Sequence, residues 1–370
     1  MTENLKIAIL NDFLPFVGIT TYVYNIFLNL RKHGIYTDFY QFDSTNFYKN
    51  REDIIIKKGI NFHIKENYVL NALLGLNYRA FRKLNSEYDI VLISGPTLNK
   101  VEKYFNNLIH IGHDLYFLFH TNNALIYTIY IRKQYNLFIK AKNIIVNSQY
   151  TKNDFIKYLN IDENKIDIVY PAINNEIFYP GKSNLRGSLK INNEDILLLN
   201  VAPDSQPNKN VISVLNLLRT LPKNYKLIRV GNNSNTLNLI KEWNLEERVI
   251  LFENIDSKKL GEVYRASDIF VFPSLFEGFG SPVMEAMASG LPVIVSNRTS
   301  LPEVAGNAGL IFEPYDIEGM KEGVLKITKD RDLYETYRKR SIERAKIFSY
   351  ENQFKSLMYV FEKFIKEINH

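Results

Sequence analysis

Short apolar runs closed by polar residues recur along this chain, at the length of buried strands rather than of helices. In the first half they are residues 6–10, 89–93, 108–111 and 143–147, with helical patterns between them. Strand-length runs alternating with helical spacing predict an α/β fold with parallel sheets, because parallel strands are covered on both faces and read as nearly continuous apolar stretches. The series restarts at residues 195–201, 226–230 and 249–252, so a second α/β domain is predicted. Between the two series Pro180, Gly181, Lys182, Ser183 and Asn184 form a polar break, which places the boundary at 180/181 and the domains at 1–180 and 181–350. The length of 370 residues suits two domains of roughly 150 to 200 residues each.

The most informative stretch runs from Asp268 to Ser296. Its flanks, Ile269-Phe270-Val271-Phe272 and Pro292-Val293-Ile294-Val295, read as buried strands, and one helix fits between them. Ser281 is expected to cap that helix, Pro282 to take its first position, and Gly290 to lie just past its end. Gly278 and Gly280 let the preceding loop come close to a ligand, and the N–H groups at the helix start attract phosphate. Glu277 then lies in the loop and Glu285 about one turn into the helix, among Val283, Met284, Ala286 and Met287. A carboxylate in such apolar company needs a partner, and sugar or ribose hydroxyls are suitable donors. Two glutamates at this spacing are by themselves usually solvated side chains, and a Gly-x-Gly alone is a weak signal.

The whole run carries more. Glu277-Gly278-Phe279-Gly280, Pro282, Glu285-Ala286-Met287-Ala288 and Ser289-Gly290-Leu291-Pro292-Val293-Ile294 together resemble the signature of the group 1 retaining glycosyltransferases, whose Glu, seven residues, Glu motif sits on the two-domain GT-B fold. The resemblance continues through Ser300-Leu301-Pro302-Glu303-Val304 and Gly309-Leu310-Ile311-Phe312-Glu313-Pro314, and upstream through Val146-Asn147-Ser148 and Val169-Tyr170-Pro171. It covers most of residues 90–350, with the first 85 residues thinly matched. What it implies is an α/β protein of two Rossmann-like domains facing across a cleft, the donor held mainly by the C-terminal domain, and a last helix at 351–370 returning to the N-terminal domain.

The resemblance also implies roles. Glu277 and His113 become the catalytic candidates, with Lys209, Glu285, Gly278, Phe279, Gly280, Ser281 and Gly18 binding the donor. Lys209, in Pro207-Asn208-Lys209-Asn210, follows a predicted strand and precedes a predicted helix, where the helix dipole disfavours a cation unless an anion joins it. The family carries an Arg a few residues before this Lys. Here the stretch is Ala202-Pro203-Asp204-Ser205-Gln206, so either Lys209 acts with backbone N–H groups or another cation such as Arg298 or Arg229 substitutes. Gly18 sits in a predicted turn before the first helix, with Ile19 where the family has a second glycine. His113 follows the predicted strand 108–111, at the place of a family His that faces the donor sugar; His110 and His120 do not fall there.

Asp330-Arg331-Asp332 is the one Asp-x-Asp triplet, and it reads as a helix start rather than a metal site. No metal and no cofactor are therefore expected. The departing diphosphate would be met by Lys209 and the helix start at Ser281. The chain has no Cys, which excludes disulfide frameworks and thiolate zinc sites. No apolar segment near the start has the length of a signal core, and the longest stretch free of charged side chains, 115–131, contains His120, Thr121, Asn122 and Asn123. A cytoplasmic protein is expected. The net charge of +6 is mild and suits an anionic donor. Residues 69–84 read as an amphipathic helix with Arg79, Arg82 and Lys83, so peripheral contact with the anionic inner membrane face is a further expectation.

The partners expected are thus a nucleotide sugar and a glycan or lipid-linked acceptor, with no nucleic acid. The reaction would be transfer of a hexose with retention. The alternatives are a non-catalytic sugar-nucleotide-binding protein, or another GT-B enzyme such as a sugar-nucleotide epimerase.

Overall fold

A computed structural model of the chain describes residues 5–12, 17–42, 78–94, 104–120, 132, 135–192, 194–203, 206–231 and 236–368. The chain divides into two compact units, Met1–Ala172 with Tyr350–His370, and Ile173–Ser349.

The first unit is built on six parallel strands, β1 (Lys6–Asp12), β2 (Tyr36–Phe42), β3 (Ile90–Ser94), β4 (Leu108–Gly112), β5 (Asn143–Val146) and β6 (Ile166–Ile168), in the order β2-β1-β3-β4-β5-β6. Ile90 to Ser94 and Leu108 to Gly112 are buried without a break, which is why these strands read as unbroken apolar runs. The helix Val17–Lys32 places Tyr22, Val23, Ile26, Phe27 and Leu30 on one side of the sheet. The terminal helix Tyr350–Ile368 joins the same core through Leu357, Val360, Phe361 and Phe364, spaced as one apolar stripe. Asn29 anchors its start, donating from Nδ2 to the carbonyl of Tyr350 at 2.8 Å.

The second unit has another six parallel strands, β7 (Ile196–Val201), β8 (Tyr225–Val230), β9 (Val249–Phe252), β10 (Ile269–Phe272), β11 (Val293–Ser296) and β12 (Gly309–Phe312). Their order is β12-β11-β10-β7-β8-β9. The direction of winding reverses between β7 and β10, and in open parallel sheets ligands bind outside the carboxyl ends of the strands at such a switch point. The loops leaving those two strands carry Lys209 and Glu277.

The expected boundary at 180/181 moves to 172/173. Residues 173–180 are held by the second unit: the Ile173 N–H donates to the Phe348 carbonyl at 2.8 Å, and Arg265 donates to the Ile177 carbonyl at 2.8 Å while lying over the Tyr179 ring. The polar break after Phe178 is thus a surface turn within that unit. Of the basic helix expected at 69–84, residues 69–77 lie outside the described ones; the chain is helical at Tyr78–Glu87, with Arg82 exposed. No helix among the described residues is long and apolar enough to cross a membrane.

Candidate active site

The site in the second unit starts from the loop between β10 and the helix Ser281–Ala288. Pro273 ends the strand and Gly280 turns the chain into the helix at φ +97, a conformation that L side chains rarely adopt. This corrects the expected cap. Gly280 is the N-cap, Ser281 lies at the first helical position with no side-chain cap bond, and Pro282 follows it. No side chain caps the entry; the Val283 N–H turns back to the Gly280 carbonyl at 2.9 Å. The far end fits expectation: Gly290, at φ +81, lets its N–H reach the Met287 carbonyl and that of Leu291 the Ala286 carbonyl, both at 3.0 Å.

Lys209 stands opposite this loop, at the end of the short 3-10 turn Pro207–Lys209 that follows β7. Its ammonium donates to both carboxylate oxygens of Glu277, at 2.8 and 2.9 Å, with both side chains largely buried. The two groups assigned from the sequence to the diphosphate and to the sugar thus hold each other.

Asparagines that sequence reasoning passed over fasten the two loops together. Asn208 donates to the Phe276 carbonyl at 2.9 Å, and its own carbonyl accepts from Ser274 Oγ and Leu275 N, each at 2.7 Å. Asn210, left-handed at φ +49, donates from Nδ2 to the carbonyls of Pro273 and Pro314 at 3.0 Å. The only sequence sign of this clasp was the Pro-Asn-Lys-Asn spelling itself. Phe279 is buried with its ring edge-on to Phe348, the centroids 5.3 Å apart.

Glu285 emerges half-buried from a helix whose Val283, Met284, Ala286, Met287 and Ala288 are buried. Its partner is the Tyr264 hydroxyl, 2.9 Å from Oε2 and also 3.2 Å from the Pro282 carbonyl. Burial pushes the Glu285 carboxyl up from 4.5 to about 7, and the Tyr264 hydrogen bond offsets part of that rise. Burial likewise raises the Tyr264 phenol well above its ordinary range. Tyr264 lies 21 positions from Glu285 on the helix Ser257–Ala266 and is fully buried, so its sequence reads as core.

The proposed substitutes for the missing arginine are both engaged elsewhere. Arg229 is fully buried in β8 and donates to Asn200 Oδ1 at 2.9 Å, and the exposed Arg298 pairs with Glu313 at 2.7 Å. Asp330 caps the helix Arg331–Ala345 by accepting from the Leu333 N–H at 3.0 Å, in keeping with its reading as a helix start. Among the described residues no group of three His, Cys, Asp or Glu side chains could hold a metal ion.

In the first unit, His113 follows β4 at the carboxyl edge of the sheet. Its Nε2 lies 2.8 Å from Ser94 Oγ at the end of β3, and the Tyr22 ring meets it edge-on with centroids 5.8 Å apart. Burial pushes the imidazole down to about 3, so it is neutral at physiological pH and offers a hydrogen bond rather than a charge. Asp114 accepts from the Tyr116 N–H and so shapes the turn after His113. His110 is buried inside β4, and the exposed His120 stacks on Tyr116. Gly18 is not in a turn: the helix Val17–Lys32 already includes it.

Known proteins agree with this construction. The family model described as Glycosyl transferases group 1 matches residues 181–346, and that described as Glycosyltransferase Family 4 matches residues 16–177. An O-antigen chain mannosyltransferase B of Escherichia coli is 36% identical over 157 residues, 40% of this chain. That match spans 41% of the relative's own length. Among solved structures, a sucrose-phosphate synthase from Thermosynechococcus elongatus superimposes with a TM-score of 0.79 at 19% identity, over 98% of this chain and 100% of that one. The Anabaena protein HepE in complex with UDP and glucose does so with a TM-score of 0.74 at 15% identity, over 97% and 100%. Two matches in series along the sequence and two parallel six-stranded sheets lead to one assignment: the chain belongs to the group 1 glycosyltransferases of the GT-B fold.

Proposed function

We propose that the protein transfers a hexose, with retention of anomeric configuration and without a metal ion, from a nucleotide-diphosphate sugar to a glycan or lipid-linked acceptor. The observation that carries this reading is the pairing of Lys209 with Glu277 at the switch point of the second sheet, beside the start of the helix that bears Glu285. Lys209 and the backbone N–H groups from Gly278 to Ser281 meet the diphosphate, Glu285 accepts from the ribose hydroxyls, and Glu277 faces the donor sugar. Neutral His113 and Gly18 keep the sugar- and donor-binding roles that the family resemblance implies for them. UDP in the HepE complex supports a nucleotide donor, and the name of the Escherichia coli relative supports mannose as the hexose and a growing glycan as the acceptor.

In the reaction the bond from the anomeric carbon to the phosphate oxygen breaks and one to the acceptor oxygen forms on the same face. The acceptor proton passes to the departing phosphate. Glu277 is not cast as a nucleophile, since both its oxygens are held by Lys209, unlike the paired carboxylates of retaining glycosidases. The charge that grows on the leaving diphosphate is met by groups already in place. The acceptor's source, lipid-linked at a membrane surface in this reading, is where the basic residues Arg79, Arg82 and Lys83 would act.

The test is a thermal-shift screen with UDP-, GDP- and ADP-sugars, since a bound ligand raises stability by mass action, followed by donor hydrolysis without acceptor. One nucleotide class should stabilise the protein and be slowly hydrolysed. Lys209→Ala should weaken the nucleoside diphosphate more than the monophosphate, by a margin that shrinks at high salt. Stabilisation by no nucleotide sugar would overturn the reading, and binding with no hydrolysis or transfer would leave a non-catalytic binder.

A further inference from the structure

Thr299 lies in the segment between β11 and the helix Leu301–Ala305 with φ at +53. A β-branched residue in the left-handed region is a strained position, one that glycine would fill freely and that persists only where the surroundings over-determine it. What surrounds it is the backbone of Glu277. Thr299 Oγ1 accepts from the Glu277 N–H at 3.0 Å. The next residue, Ser300, is fully buried, and its Oγ lies 3.0 Å from the Glu277 carbonyl and 2.9 Å from that of Phe279, donating its single proton to one at a time. One dipeptide therefore grips the peptide units on both sides of Glu277, while Asn208 holds the Phe276 carbonyl from the opposite loop.

We propose that Thr299 is a positioning residue for Glu277: its hydroxyl, presented from a strained left-handed conformation, fixes the Glu277 peptide and so aims the carboxylate at the donor sugar. This rests on the reading of Glu277 given under Proposed function. A glycine at 299 would relax the backbone and delete the acceptor; a serine would keep the acceptor with less crowding at Cβ; a valine would keep the branched shape and lose the oxygen. Strain and hydroxyl are thereby separable.

The experiment compares Thr299→Gly, Thr299→Ser and Thr299→Val with the unchanged protein in four measurements: thermal midpoint, nucleoside diphosphate affinity, kcat against KM for transfer or donor hydrolysis, and hydrogen-exchange protection of the Glu277 amide. Thr299→Gly should melt at or above the unchanged protein and bind nucleotide within about twofold, since Lys209 and Glu285 are untouched. Its kcat should fall about ten- to a hundredfold, the scale expected when a reacting group is displaced by less than an ångström or so. Its Glu277 amide should lose protection. Thr299→Ser should restore both kcat and protection, and Thr299→Val should restore neither. Undiminished kcat in Thr299→Gly, or a folded Thr299→Ser as impaired as Thr299→Gly, would overturn the inference while leaving the glycosyltransferase reading intact. An unchanged protein that binds nucleotide sugars without turning them over would instead defeat that reading, and this inference with it.

Discussion

Replacing Glu285 by glutamine should make the empty protein more stable and the donor-binding protein worse, each in a pH window set by the same carboxyl. In the folded protein that carboxyl is pushed from 4.5 to about 7 by burial. The folded state therefore holds a proton between those values that the unfolded chain has released, so stability falls as pH rises through the window, and the full penalty is present above pH 7. A shift of this size corresponds to about 3 kcal/mol at most, an upper limit because Glu285 is only half-buried. Glu285→Gln removes the ionisation and keeps an acceptor for Tyr264, so its thermal midpoint should equal that of the unchanged protein near pH 4 and exceed it at pH 8.

Donor binding runs the other way, because ribose hydroxyls donate to the charged form. Relative to its alkaline plateau, affinity for the nucleotide sugar should be about twofold weaker at pH 7 and about tenfold weaker at pH 6. Calorimetry should use the intact nucleotide sugar, since a free terminal phosphate gains its own proton near pH 6 and would mimic the effect. Tyr264→Phe, which deletes the bond that lowers the carboxyl's pKa, should move the affinity curve to higher pH. Affinity that is flat from pH 6 to 8, or a slope that survives in Glu285→Gln, would refute the argument.

Two further outcomes follow from the same site. Gly280→Ala should lower the thermal midpoint, because alanine at φ +97 is strained by about 1–3 kcal/mol and its Cβ would sit 2.7 Å from Leu301 Cδ2; an unchanged midpoint would mean the loop turns without help from glycine. Transfer should continue in excess chelator, as the proposal assigns the diphosphate charge to Lys209 and backbone N–H groups; loss restored by Mg²⁺ or Mn²⁺ would assign it to a metal instead.

Nine of the twelve strands among the described residues were legible in the sequence because inner parallel strands are covered on both faces, so runs such as Ile269-Phe270-Val271-Phe272 show no polar alternation. The strands β2, β6 and β12, at sheet edges and more polar or exposed, were not read as strands. Gly290 was legible because a glycine after a helical pattern has few other uses. The helix start was placed on Ser281 since serine is the commoner cap, whereas a left-handed Gly280 leaves no distinct local spelling. Pairings between loops were not legible at all. Lys209 and Glu277 are 68 positions apart, and Thr299 reaches Glu277 across 22, so nothing local announces either contact. A positive φ at Thr299 runs against its residue type, and such conflicts between local preference and global fold are where functional constraint is to be sought.

In the proposed reading, a site that receives a doubly charged diphosphate must also hold its own partly buried charges, which cost free energy when uncompensated. The described groups show how this chain meets that requirement. Lys209 and Glu277 neutralise each other, and Glu285 is shifted by burial to where it can take up a proton near neutrality. An ammonium has three N–H bonds and Glu277 occupies two, so a phosphate oxygen can join the third without expelling the carboxylate. In that arrangement Glu277 stays fixed by Lys209 on one side and by the Thr299–Ser300 grip on the other while the donor arrives. Binding then adds charge to a frame that is already set, and it leaves little reorganisation to be done during the transfer step itself.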